Sequence, residues 1–164
     1  VVNEYPLMLG QLGLSQPGSY FGLSPAGGLG WGFGAALGAK LAVPDKLVAV
    51  GLGDGAYMFS NPTPCHWVSA TEGLPVLTVV RNNQRWGAVQ AAAARMYPEG
   101  RWVRQEHRPL IDLSPSPAFE LVAQASGAHA ERIEDPVALP DALERAVRAV
   151  QGEGRQALLN VIAG

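Results

Sequence analysis

Apolar positions along the chain fall in short blocks rather than one long run. Residues 47–52 (Leu-Val-Ala-Val-Gly-Leu) lead into Gly53-Asp54-Gly55, and residues 75–80 (Pro-Val-Leu-Thr-Val-Val) lead into Arg81-Asn82-Asn83. Short apolar blocks that stop at polar or glycine-rich turns are the pattern of strands buried on both faces of a parallel sheet. Between them, residues 64–72 predict a helix opened by Asn61-Pro62-Thr63-Pro64. Proline is tolerated there because the first N–H groups of a helix have no intrahelical partner. Gly73 supplies the stop. These elements make one βαβ unit, expected to cross over in the right-handed sense.

Upstream, residues 27–42 predict a glycine- and alanine-rich helix closed by Pro44. Gly30, Gly34 and Gly38 recur every fourth residue and so share one helix face. Each glycine costs a helix about 1 kcal/mol relative to alanine. Their alignment points to close approach of a backbone or a ligand, with plain tight helix packing as the alternative. Downstream, residues 117–126 and 139–150 have helical spacing and alternate with strand candidates at 129–133 and 156–161. The stretch 86–109 is the least regular, helical at 91–94 and otherwise loop. Strands alternating with helices throughout predict an α/β fold, three layers α/β/α around a mostly parallel sheet. With no internal repeat and no low-complexity linker, residues 1–164 read as a single domain.

Composition narrows the classes. At 164 residues, 48% hydrophobic and 16% charged, the chain is globular and long enough for a real core. A net charge of −2 gives no electrostatic case for nucleic acid or an anionic membrane. The apolar blocks are far shorter than a bilayer span. A single cysteine, Cys65, excludes an intrachain disulfide and fits a reducing compartment, so a cytoplasmic protein is expected. Val1-Val2-Asn3-Glu4 has neither the basic start nor the apolar core of a signal peptide. The chain reads as starting inside or beside a strand, as a fragment of a longer chain.

In an open parallel sheet, ligands bind beyond the carboxyl ends of the strands. Asp54 and Asn83 each follow such an end, on consecutive strands, so they can converge although far apart in sequence. A carboxylate and an amide oxygen are hard ligands suited to Mg²⁺, which keeps water and phosphate oxygens in its octahedron. Gly53 and Gly55 allow backbone N–H groups to approach a phosphate. Taken alone, Gly-Asp-Gly is equally a surface turn.

Gly53-Asp54-Gly55, then 26 intervening residues, then Asn82-Asn83 resembles the fingerprint of thiamine-diphosphate enzymes. Asn3-Glu4, Pro17-Gly18-Ser19-Tyr20, Ala26-Gly27-Gly28-Leu29-Gly30 and Pro75 extend the likeness to the C-terminal domain of benzoylformate decarboxylase and acetolactate-synthase-like proteins. The resemblance implies a thiamine-diphosphate-binding fold and the cofactors thiamine diphosphate and Mg²⁺. It implies Asp54, Asn83 and the Arg85 carbonyl as metal ligands, and Gly53, Gly55 and Ala56 around the diphosphate. Gly27, Gly28 and Leu29 would meet the aminopyrimidine, with the Leu29 side chain wedged between the cofactor rings and Trp86 completing the cofactor set. Val89 and Ala92 match substrate-pocket positions, where small side chains argue against strict aryl specificity. The implied activity is decarboxylation or carboligation of a 2-oxo acid, with the cofactor taking up the electrons.

The family's activating glutamate belongs to a separate N-terminal pyrimidine-binding domain, usually from a neighbouring subunit. Nothing in the chain matches that domain, and Glu4 sits in the wrong motif. The chain is therefore expected to hold half a site, with no catalytic residue of its own, in a homo-oligomer (dimer or tetramer). A non-catalytic oligomerisation or regulatory module of the same fold is the alternative, and a phosphate-binding α/β domain of another class is a further rival. His66, His107 and His129 receive no role. Six basic residues between Arg81 and Arg108 form a solvated loop, a domain contact or an attractor of anions. Arg81 stands where the family usually has an apolar residue.

Overall fold

The sheet is wholly parallel. β1 (Ala49–Gly53), β2 (Leu77–Asn82), β3 (His129–Ile133) and β4 (Ala157–Ile162) pair in the order β1-β2-β4-β3. The computed structural model describes residues 5–22, 27–106 and 110–163, and the architecture below is that of these residues. The helices are α1 (Tyr5–Leu12), α2 (Trp31–Ala42), α3 (Asp54–Phe59), α4 (Pro62–Thr71), α5 (Gly87–Met96), α6 (Phe119–Gln124) and α7 (Leu139–Gly152).

Strand alternation sorts the core into two layers. On one face, Val80 and Leu158 pack with Phe33 and Leu37 of α2, Leu52, Tyr57 of α3 and Phe119 of α6. On the other, Leu77, Leu159 and Ile133 pack against Ala142, Ala146, Ala149 and Val150 of α7. These α7 positions recur at helical spacing, so one alanine-rich stripe lies flat on the sheet. Each large apolar side chain buried this way contributes roughly 1.5–3 kcal/mol. Gly51 presents its bare face to Met8 of α1, 3.2 Å from where a Cβ would sit, which puts α1 on the same side as α7. The expected α/β/α layering is what forms.

Several boundaries move. Both strands of the βαβ unit start and end later than their apolar blocks, paired Ala49↔Leu77 through Gly53↔Arg81. The glycine-rich helix begins at Trp31 rather than residue 27, because Gly30 takes φ 88° and turns the chain before the helix. A Cβ at Gly30 would lie 2.5 Å from the Phe59 carbonyl carbon, so close backbone approach is real there. Gly34 and Gly38, by contrast, have nothing within 4 Å of a Cβ position, and their face of α2 is open. The expectation of a strand at the start fails from Tyr5 onward, where α1 forms; Asn3 and Glu4 lie outside the described residues. No helix among the described residues is long and apolar enough to cross a membrane.

Candidate cofactor site at the carboxyl edge of the sheet

Parallel pairing brings the ends of β1 and β2 side by side, with Gly53 opposite Arg81. Asp54 is the first residue of α3 and is 4% exposed. Its Oδ1 accepts the Gly55 N–H at 2.8 Å and its Oδ2 accepts the Arg85 N–H at 3.2 Å. The Asn83 Oδ1 accepts that same Arg85 N–H at 3.3 Å. Two side-chain oxygens that follow the ends of different strands therefore meet at one point. Burial raises the Asp54 pKa above its ordinary value, and backbone N–H groups of Gly55, Arg85 and Gln84 counter part of that rise. A buried carboxylate only partly compensated by hydrogen bonds is a seat that a cation would stabilise further.

The turn after β2 is built to present these atoms. Gln84 adopts φ 55°, the left-handed region rarely used by residues other than glycine. Its N–H donates to Asn82 Oδ1 at 3.1 Å and its carbonyl accepts the Leu113 N–H at 2.8 Å. Arg85 bridges to Asp112, and the Trp86 N–H donates to the Ile111 carbonyl at 2.9 Å. The Arg85 carbonyl accepts the Gly87 N–H at 2.9 Å and keeps a second lone pair for a further partner.

A cavity opens here, lined by Leu29, Gly53, Asp54, Gly55, Ala56, Asn83, Arg85, Trp86 and Val89. The sequence analysis had singled out all of these. Gly27, Gly28 and Ala92 are not in its lining, although they were grouped with it from the sequence. Arg81, Gly87 and Ala88 do line it and had been given no role. Strand period would have found Arg81: it lies beside Gly53, which has no side chain to fill the space. Gly87 and Ala88 were missed because α5 was expected only at 91–94.

Over Gly55 sits the indole of Trp86, whose ring meets Phe59 edge-on at 5.4 Å between centroids. Leu29 remains 46% exposed at the rim, available as an apolar wall. Deeper, His66 is fully enclosed: its Nδ1 pairs with Gln156 Oε1 at 2.7 Å and its Nε2 with the Tyr57 hydroxyl at 2.8 Å. Gln156 Oε1 can only accept, so Nδ1 carries the proton and Nε2 accepts from Tyr57. His129 pairs with Glu131 at 2.8 Å on β3, remote from the cavity lining. His107 lies outside the described residues.

The donor set suits Mg²⁺ and a diphosphate. Oxygens of Asp54 and Asn83 converge on one backbone N–H, the Arg85 carbonyl has a lone pair to spare, and Gly53 and Gly55 line the same cavity.

Comparison with known proteins identifies the family. Residues 4–161 match the family described as thiamine pyrophosphate enzyme, C-terminal TPP binding domain. The acetolactate synthase large subunit of Mycobacterium tuberculosis is 33% identical over 147 residues, which is 89% of this chain and 24% of that protein. Benzoylformate decarboxylase of Pseudomonas aeruginosa is 36% identical over 77 residues, 47% of this chain and 14% of that protein. The solved thiamine diphosphate-dependent 4-hydroxybenzoylformate decarboxylase of Rhodococcus jostii RHA1 superposes with TM-score 0.74 at 26% identity, over 92% of this chain and 26% of that one. The chain thus spans about a quarter of the length of its acetolactate synthase relatives. By fold, motif and match, the chain belongs to the thiamine pyrophosphate enzymes, as their C-terminal cofactor-binding domain.

Proposed function

We propose that this domain holds the diphosphate–Mg²⁺ end of thiamine pyrophosphate (thiamine diphosphate) in an enzyme that decarboxylates or carboligates a 2-oxo acid. The observation that carries the reading is the meeting of Asp54 Oδ2 and Asn83 Oδ1 on one backbone N–H at the sheet's carboxyl edge. Asp54, Asn83 and the Arg85 carbonyl would hold the cation, while Gly53, Gly55 and Ala56 would line the diphosphate. The Gly27 carbonyl and Leu29 N–H, with Gly28 between them, would meet the aminopyrimidine edge, and the Leu29 side chain would be the apolar wedge between the cofactor rings. The bound cofactor supplies an electron sink for cleavage next to a carbonyl. Trp86 would complete the cofactor set, and Val89 and Ala92 would bound the substrate side.

The reading includes a partner. A pyrimidine-binding domain with the activating glutamate, from a neighbouring subunit of a cytoplasmic homo-oligomer, would complete the site. Relatives about four times as long are consistent with such an arrangement.

The test is thiamine pyrophosphate binding by the full-length protein, titrated with and without Mg²⁺. Asp54→Ala and Asn83→Ala should each weaken Mg²⁺-dependent binding by at least about tenfold, since disturbing even the residues around metal ligands costs 10–100-fold. Unchanged Mg²⁺ dependence in a folded double variant would remove the assignment and favour the non-catalytic module.

A further inference from the structure

A line of hydrogen bonds, buried at its centre, ties the Asn83 turn to a helix on the far side of the neighbouring strand. Asn82 and Asn160 are both fully buried. Strand alternation puts them on the face shared by Val80 and Leu158. Glu120 Oε2, in the first turn of α6, accepts from Asn160 Nδ2 at 2.7 Å. Asn160 Oδ1 accepts from Asn82 Nδ2 at 3.0 Å, and that same Nδ2 also donates to Ser116 Oγ at 2.7 Å. Asn82 Oδ1 then accepts the Gln84 N–H at 3.1 Å.

The line has a polarity. A carboxylate only accepts, so Glu120 requires the nitrogen side of Asn160. That turns the Asn160 oxygen to Asn82, which must then offer its nitrogen. The Asn82 oxygen is left facing the Gln84 N–H. A reversed amide at either asparagine would set donor against donor or oxygen against oxygen.

We propose that Asn160 and Glu120 are positioning residues for the cation site. Acting through Asn82, they hold Gln84 in its left-handed conformation, and with it the turn that brings Asn83 and Arg85 to Asp54. The inference rests on the Mg²⁺–diphosphate reading above. Neither residue is part of the cavity lining, and neither lies in the Gly-Asp-Gly or Asn-Asn motif.

Metal preference separates this role from simple support of the fold. Mg²⁺ demands a near-ideal octahedron with short bonds, whereas Ca²⁺ accepts six to eight oxygens in flexible arrangements. A loosened turn therefore handicaps Mg²⁺ more than Ca²⁺. The experiment uses the full-length protein with Asn160→Leu, Glu120→Leu and Glu120→Gln. It measures thermal midpoint, and the Mg²⁺ and Ca²⁺ concentrations that half-saturate thiamine pyrophosphate binding. Asn160→Leu should raise the Mg²⁺ requirement about tenfold and the Ca²⁺ requirement much less, in the range seen when groups supporting metal ligands are removed. Glu120→Leu should shift the ratio the same way, and Glu120→Gln, whose amide oxygen can accept the same bond, should restore it.

A folded Asn160→Leu protein with the wild-type Mg²⁺/Ca²⁺ ratio overturns the proposal. So does a proportional rise of both requirements, which marks a structural role alone. Should Asn160→Leu fail to fold, the ratio in Glu120→Leu, altered at a half-buried site, decides in the same way. Absence of cation-dependent binding in the wild type is a different failure: it removes the parent reading and the positioning role with it.

Discussion

Gly55 has no room for a side chain. A Cβ there would overlap the six-membered ring of Trp86, which is itself seated on Phe59. Gly55→Ala should therefore push the indole outward and destabilise the domain by about 1–3 kcal/mol, the usual cost of overpacking. Tryptophan fluorescence should shift to the red as the ring meets water, and cofactor affinity should fall with it. Adding Trp86→Ala should recover the stability but not the affinity; a lone Gly55→Ala with wild-type melting and emission would show that the ring yields freely. At this scale the sequence was most legible where chemistry and strand ends coincide. Asp54 and Asn83 stand out because a polar side chain after an apolar block has few places to go but the sheet's edge. Gly27, Gly28 and Ala92 came from family likeness alone, and no local pattern marks whether such residues face a cavity. Arg81 was visible as an oddity, and its register opposite Gly53 accounts for its place in the lining.

Elements were legible in type and less so in extent. The strand at His129–Ile133 is found as expected, whereas the helix at α3 was not anticipated. Gly-Asp-Gly reads locally as a turn, and only a tertiary contact reveals why the chain coils there. Tyr57 of α3 is driven into the core against Phe119 and Phe33, and its hydroxyl is held by His66 of α4. Gln156, next to β4, completes the tie by accepting from His66 and donating to the His66 and Ser126 carbonyls. Desolvation lowers the His66 pKa below its ordinary value of 6.5, with the Gln156 bond opposing, and burial raises that of Tyr57. The sign follows. A base whose folded pKa is depressed leaves the unfolded chain holding more protons in the interval between the two values. Its contribution to stability is complete above about pH 6.5 and is lost as the pH falls from there through the folded value. Stability should drop on acidification with a slope of at most about 1.4 kcal/mol per pH unit for this one group. Asp54, whose pKa is raised, works in the opposite direction at lower pH. Denaturation midpoints of wild type and His66→Gln between pH 7.5 and 5.5 (roughly the histidine range) isolate the effect. The variant should be less stable at the upper end and flatter across the range; parallel curves would mean that the His66 pKa does not differ between the folded and unfolded chain.

For the whole molecule, the sequence conveyed the layering because two-sided apolar strands and one-sided helices can be assembled in few ways. It could not convey how much of the cofactor edge stays uncovered. Leu29 is 46%, Phe59 60% and Val89 53% exposed, and they belong to or adjoin the cavity rim. Apolar surface gathered at one edge is what a partner domain covers. On the reading proposed above, that partner also brings the carboxylic acid that activates the aminopyrimidine. Asp54 and Asn83 can anchor only the diphosphate end, so the isolated 164-residue chain should bind thiamine pyrophosphate weakly and turn over nothing measurable. Positioned acid–base groups contribute roughly 10²–10⁴-fold, and that factor would be missing. With its rim in water, the isolated chain should also self-associate as its concentration rises. The measurement is CO₂ release from a panel of 2-oxo acids with cofactor and Mg²⁺ present, alongside sedimentation of the same sample. Release within about tenfold of the full-length enzyme, well inside the 10²–10⁴ contribution of such groups, would mean that this chain carries its own activating acid. The division of the site between two domains would then be wrong.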